Sequence, residues 1–247
     1  MTYCCGILVR EGLVMIADTR TNAGLDNIST FRKLHIFEQH DERVLMIATA
    51  GNLSVTQNVI SHVTVGLENP DTGEQETISN VSSMFAAAQL VGRAVRKVRE
   101  TLGASTEHVN FDITLLLGGQ LKGRRMRLFM VYSAGNFIEA TEDTPYLQIG
   151  EHKYGKPVLD RAVNFESEIY DSLKLGLVSM DSTMRSNLGV GLPIDIALLR
   201  RDVLDLEINH RIDHVDPYFH DLRDRWSVAL RQAHLNIPRP PYGKPRQ

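Results

Sequence analysis

The run Thr2-Tyr3-Cys4-Cys5-Gly6-Ile7-Leu8-Val9, the turn Arg10-Glu11-Gly12, and the run Leu13-Val14-Met15-Ile16-Ala17-Asp18-Thr19 decide how this chain is read. Both runs are short and almost wholly apolar or small. That pattern, with a tight glycine turn between, predicts two buried strands paired as a hairpin. Asp18 closes the second run, and a carboxylate at the end of a buried strand needs a partner. Thr2 stands directly behind Met1, in the context in which an initiator methionine is normally trimmed. A threonine at a free N-terminus carries a nucleophile and a base in one residue; while Met1 stays attached, its nitrogen is an amide and cannot be that base.

Working outward, Thr21 to Asn27 has loop chemistry, and Lys33–Phe37 and Val44–Ala50 predict two further strands. After Gly51-Asn52 the period changes, which predicts a helix over Leu53–Leu67 and a polar loop over Glu68–Glu76. Val81, Met84, Phe85, Ala88, Val91, Val95, Val98 and Leu102 recur at three and four, a second helix that Gly103 ends. Strands are expected at Phe111–Leu117, Met126–Ser133 and Asn136–Thr141. Helices follow at Lys156–Asp171 and Ser172–Asp181, then strands at Pro193–Leu199 and Val203–Ile208. Asp216-Pro217 starts a terminal helix whose stripe is Phe219, Leu222, Trp226, Ala229, Leu230 and Ala233. It either packs on its own domain or reaches a neighbouring subunit. Pro238 to Pro241 favours an extended tail. Strands and helices grouped in this way predict an α+β fold, stacked antiparallel sheets covered by helices in an αββα sandwich. The domain boundary is expected at 214, with 1–214 as the main domain and 215–247 as helix and tail.

The 43% hydrophobic content of the 247 residues supports a sizeable core and excludes a disordered chain. A net charge of -3 gives no general attraction to nucleic acid or anionic membrane. The basic run Lys122-Gly123-Arg124-Arg125 reads as a solvated hairpin end. Adjacent Cys4 and Cys5 suit neither a disulfide nor a zinc motif. There is no signal-peptide pattern and no apolar run of about 18 residues, so a cytoplasmic location is expected. His210 and His214 have a metal-like spacing only on a helix, and they fall in a link after the last predicted strand. No metal and no cofactor are expected.

Thr2, Gly6, Ala17-Asp18-Thr19-Arg20, Lys33 and Ala50-Gly51, in this order, resemble the β-subunit pattern of proteasome-type N-terminal nucleophile hydrolases. Thr21-Asn22-Ala23-Gly24, Ser29-Thr30-Phe31-Arg32-Lys33 and Ser179 to Asn187 resemble most closely the Anbu (ancestral beta subunit) branch of that superfamily. The likeness spans essentially the whole chain. It implies a four-layer αββα sandwich and a self-assembling threonine peptidase, a homo-oligomer in a ring or lock-washer spiral that acts on peptides or unfolded proteins. Under it Thr2 is nucleophile and base, Lys33 lowers the amine's pKa, Asp18 orients Lys33, and the Gly51 N–H donates to the oxyanion. Asp181 is expected to support the site together with Ser182 or, preferably, Ser186. Substrate is expected to pair with backbone at Thr21 or Asn22, with Thr49 and Leu53 lining an uncharged first pocket.

The chain departs from the pattern at Ile149-Gly150-Glu151-His152-Lys153-Tyr154, where Glu151 replaces a serine that helps hold the threonine amine. A carboxylate beside an ammonium favours the charged form and weakens the base. Singly, an Asp ending a strand is ordinarily a turn residue and a lone Lys is ordinarily solvated; their joint spacing carries the catalytic reading. Two rivals keep the fold: an assembly or binding protein without peptidase activity, and an amidase acting on a small amide.

Overall fold

The computed structural model describes residues 1–22, 28–70, 72–103 and 112–242. The opening hairpin forms as its apolar runs dictate: β1 (Tyr3–Val9) and β2 (Gly12–Asp18) are buried throughout, with Cys4 opposite Ala17. Next come the short pair β3 (Arg20–Asn22) and β4 (Ile28–Thr30), then β5 (Leu34–Gln39) and β6 (Arg43–Gly51). The Ala23 and Gly24 of the family motif lie outside the described residues, as does Phe111. Helix α1 (Leu53–Val65) is followed by a two-stranded hairpin, β7 (Leu67–Glu68) and β8 (Gln75–Glu76), where a loop is expected from the sequence. Helix α2 (Met84–Gly103) leads to β9 (Ile113–Leu121), β10 (Arg127–Tyr132) and β11 (Phe137–Glu139); the basic run forms the β9–β10 turn.

The expected order then needs correction. A five-residue strand, β12 (Tyr146–Gly150), precedes α3 (His152–Ala162) and α4 (Ile169–Ser186). The helix break falls at Val163 to Glu168 rather than at Asp171, because Asn164 and Ser167 fold a local turn and Glu168 caps α4 by accepting from the Asp171 N–H at 2.8 Å. After β13 (Ile194–Arg200) the last strand is β14 (Ile208–Ile212), not Val203–Ile208. Asp202 takes a positive φ of 63° and is held by Gln120, so the segment before β14 turns instead of extending. His210 therefore lies within the final strand.

Two five-stranded antiparallel sheets result, in the orders β12-β1-β2-β13-β14 and β11-β10-β9-β6-β5. Strand alternation sorts the core into layers. Val44, Met46 and Ala48 of β6 join Cys4, Met15 and Leu128 between the sheets, whereas Leu45 and Ile47 face Val55, Val59 and Val91 of α1 and α2. On the other side Gly176 of α4 lies against Ile7 and Ile16. This is the αββα sandwich. Gly6 marks the closest approach of the sheets, since a Cβ there would sit 2.9 Å from both Leu128 and Met15 side chains.

Contacts divide the chain into Met1–His214 and Val215–Gln247. In the second unit α5 (Pro217–Asn236) starts where Asp216 accepts from the Phe219 N–H at 2.8 Å. Phe219 and Leu222 of its stripe are buried, while Leu230 and Leu235 are exposed. No helix among the described residues is long and apolar enough to cross a membrane.

Candidate active site

Adjacent ends of β1, β2, β6 and β12 bring the candidate residues together. Asp18 is fully buried, and its Oδ1 accepts from the Tyr3 N–H at 3.0 Å and from Lys33 Nζ at 2.9 Å. Gly191 N–H approaches Oδ2 at 3.4 Å. Burial pushes the Asp18 carboxyl above its ordinary range, and the Lys33 charge opposes that shift. Lys33, only 4% exposed, spends its other donors on the Arg20 carbonyl at 2.6 Å and the Met1 carbonyl at 3.4 Å. Thr2 Oγ1 donates to that same Met1 carbonyl at 2.8 Å. Two groups of the proposed machinery thus meet at the peptide bond that precedes Thr2.

Gly51 ends β6 with φ 112°, and a Cβ on it would lie 2.2 Å from the Asp112 carbonyl oxygen, so only glycine fits. Asn52 then caps α1, its Oδ1 accepting from the Ser54 N–H at 3.0 Å. Gly150 makes a matching approach on the far side, where a Cβ would meet the Thr2 carbonyl oxygen at 2.0 Å and φ is 79°.

A cavity of about 530 Å³ collects Thr2, Thr21, Lys33, Thr49, Gly51 and Leu53, with Met1 and Phe31 at its sides. Thr21 Oγ1 is buried without a hydrogen-bond partner among the described residues. Asn22 ends β3, and its side chain lies outside the described residues. Glu151 borders a second cavity of about 450 Å³ with Thr2 and Gly51. Its backbone N–H donates to the Thr2 carbonyl at 2.7 Å, and its carboxylate lies 3.6 Å from Lys153.

Asp181 is fully buried in α4 and paired with Arg185 at 3.0 Å, whereas Ser186 is exposed at the helix end. Among the described residues neither lines the two cavities at Thr2. From that segment Gly189 and Gly191 reach the site instead: a Cβ on Gly189 would fall 2.6 Å from Met1 Cβ. Tyr3, Gly189 and Gly191 were not legible as site residues, because backbone N–H donors and absent side chains leave no chemical signature. Asn52 did have one, as a capping residue before an apolar helix.

Cys4 and Cys5 are poor rival nucleophiles: both are fully buried, and burial pushes the Cys5 thiol up to about 12. His40, Asp41 and Asp205 form the one group of metal-type donors among the described residues, largely solvent-exposed and without His210 or His214.

No family model matches the chain, and no curated protein does. Solved structures do. Anbu from Yersinia bercovieri is 44% identical with a TM-score of 0.89, over 98% of this chain and 100% of that one. Anbu from Hyphomicrobium sp. strain MC1 is 46% identical with a TM-score of 0.87, over 96% of this chain and 98% of that one. A Pseudomonas aeruginosa structure, described as a helical assembly of the Anbu complex, is 39% identical with a TM-score of 0.88, over 97% and 98% of the two chains. With identities of this size along nearly the full length of each, the chain belongs to the Anbu (ancestral beta-subunit) family.

Proposed function

We propose that this chain is a threonine peptidase whose nucleophile, Thr2, is released by removal of Met1. The observation that carries the reading is the convergence of the Thr2 hydroxyl and the Asp18-paired Lys33 on the Met1 carbonyl, at 2.8 and 3.4 Å. Cleavage of that bond leaves an α-amine beside the hydroxyl. An unperturbed α-amine titrates at about 7.7 to 8.0, and the Lys33 charge lowers this further.

The neutral amine takes the Oγ1 proton as the oxygen bonds to the substrate carbonyl carbon, and the Gly51 N–H donates to the developing oxyanion. The tetrahedral centre collapses with loss of the C–N bond, and the new ammonium returns its proton to the departing amine. Water, deprotonated by the same amine, then cleaves the ester and restores the hydroxyl. The acyl half pairs with β3 backbone at Thr21 or Asn22, and Thr49 and Leu53 line an uncharged first pocket. The substrate is an unfolded peptide. The active form is a cytoplasmic homo-oligomer, a ring or open spiral; the helical assembly of the Pseudomonas relative supports self-association.

Among the described residues Asp181 and Ser186 line neither cavity at Thr2, so in this reading any support they give passes through the segment after α4, where Gly189 and Gly191 reach the site. A second reading, assembly without hydrolysis, is favoured by Glu151 at the position of the family's serine. Intact mass before and after a peptide epoxyketone separates them. Loss of Met1 with one adduct, absent from Thr2→Ala, is expected; a purified chain that retains Met1 would sink the mechanism.

A further inference from the structure

The cleft at Thr2 continues past the two cavities already described. The second, bordered by Thr2 and Glu151, shares Gly51, Asp112 and Gly150 with a third of about 590 Å³. Gly51 borders all three. If its N–H marks the carbonyl under attack, the acyl half takes the first cavity, and only the second and third remain for the residues beyond the scissile bond.

The third cavity runs along β12, which among the described residues ends its sheet and pairs only with β1. Antiparallel pairs alternate between those that exchange hydrogen bonds and those that do not. Glu151 N–H donates to Thr2 at 2.7 Å and Leu8 N–H to Pro145 at 2.6 Å, which places Ile149 and Leu147 in the bonded set. The N–H and C=O of Tyr146 and Gln148 therefore point away from β1, along the edge that borders the cavity. Ile113, Met130, Leu147 and Ile149 give it an apolar lining. Lys156 on its rim is already engaged by Asp160 at 2.6 Å and Tyr146 at 3.1 Å, so it offers little to an acidic side chain.

We propose that this third cavity is the subsite for the leaving half of the peptide. That half adds as a strand to β12, and the cavity selects an apolar side chain at the second or third residue after the scissile bond. The inference rests on the peptidase reading for its direction, and a binding assay tests it separately. The probes are the product-like peptides Gly-Leu-Leu-Gly and Gly-Asp-Asp-Gly, each with a free amine and a C-terminal fluorescein, read by anisotropy.

The Leu peptide is expected to bind about tenfold more tightly, the discrimination an apolar pocket ordinarily gives. Met130→Glu and Thr144→Trp, the latter on the exposed rim, should each bring the ratio near one with circular dichroism unchanged. Equal binding, or a preference that survives both substitutions, overturns the inference. Turnover of an acyl-peptide coumarin amide, which has no leaving peptide, reports on the peptidase reading alone. A silent coumarin amide with the expected peptide preference would remove catalysis and keep the cavity as a peptide site.

Discussion

Replacing Lys33 by methionine strands a carboxylate. The side chains of Lys33 and Asp18 are 5% and 0% exposed, and their charges meet at 2.9 Å. Breaking a buried pair from one side costs about 3 to 5 kcal/mol, because the remaining charge is left uncompensated. Here the lower half of that range is expected, since the Tyr3 and Gly191 N–H groups still point at Asp18. Asp18→Asn together with Lys33→Met removes both charges and keeps an oxygen for the Tyr3 N–H, so the double variant should recover more than half of the loss. The pH dependence fixes the sign. Without Lys33 the folded-state pKa of Asp18 rises further above its unfolded value of about 3.9. The penalty is therefore full when Asp18 is ionised in both states and disappears as pH falls below the unfolded value. Urea unfolding at pH 7 and pH 3.5, at one protein concentration, measures all three chains. A Lys33→Met loss below about 1 kcal/mol at pH 7, or a double variant no more stable than the single, would refute the reasoning.

Other perturbations follow from the same geometry. On a cleaved substrate, rate should rise from pH 7 toward alkaline pH because Glu151 favours the charged amine, and Glu151→Ser should raise the rate at pH 7; a flat or acid-favouring profile counts against this. Gly51→Ala puts a Cβ 2.2 Å from the Asp112 carbonyl in a left-handed conformation, so activity should fall about a hundredfold or more through loss of the oxyanion donor; wild-type kcat would contradict it. Gly155→Ala drives a Cβ to 2.3 Å from Ser179 Oγ and 2.7 Å from the Tyr3 hydroxyl, which are hydrogen-bonded at 2.5 Å. A loss of about 1 to 3 kcal/mol is expected in urea unfolding, as for overpacking.

The sandwich was legible because β1, β2 and β6 are nearly continuous apolar runs, β13 is apolar but for Asp195 and its terminal arginine, and a tight glycine turn joins the first two. What escaped is short or capped in unusual ways. The five residues of β12 alternate as a strand should, with Leu147 and Ile149 buried, but the run is brief and abuts a helix. The start of α4 was lost because Glu168 supplies the cap, a weaker signal than Ser, Thr, Asp or Asn. In the site, Thr2, Asp18, Lys33 and Gly51 were nameable through their joint spacing and the family resemblance it carries, and the structure shows Thr2, Lys33 and Gly51 around one cavity with Asp18 behind Lys33. The arrangement of Asp181 was not foreseeable, since its helical partner Arg185, one turn along, competes for it.

Because β1 is apolar on both faces apart from the Tyr3 hydroxyl, which bonds Ser179, polarity fixes its register at one residue only. Shape adds a second fix. Gly6 is the residue that fits where the sheets close on Leu128 and Met15, and Thr2 stands four places upstream along the strand. The glycine is thus a fixed point, and the residues between it and Thr2 are a ruler that measures out the position of the hydroxyl. One residue inserted into that ruler would carry Thr2 about 3.3 Å along the strand and turn it to the opposite face. The pairing beyond Gly6 would be untouched, so such a chain would keep its fold and lose its aim.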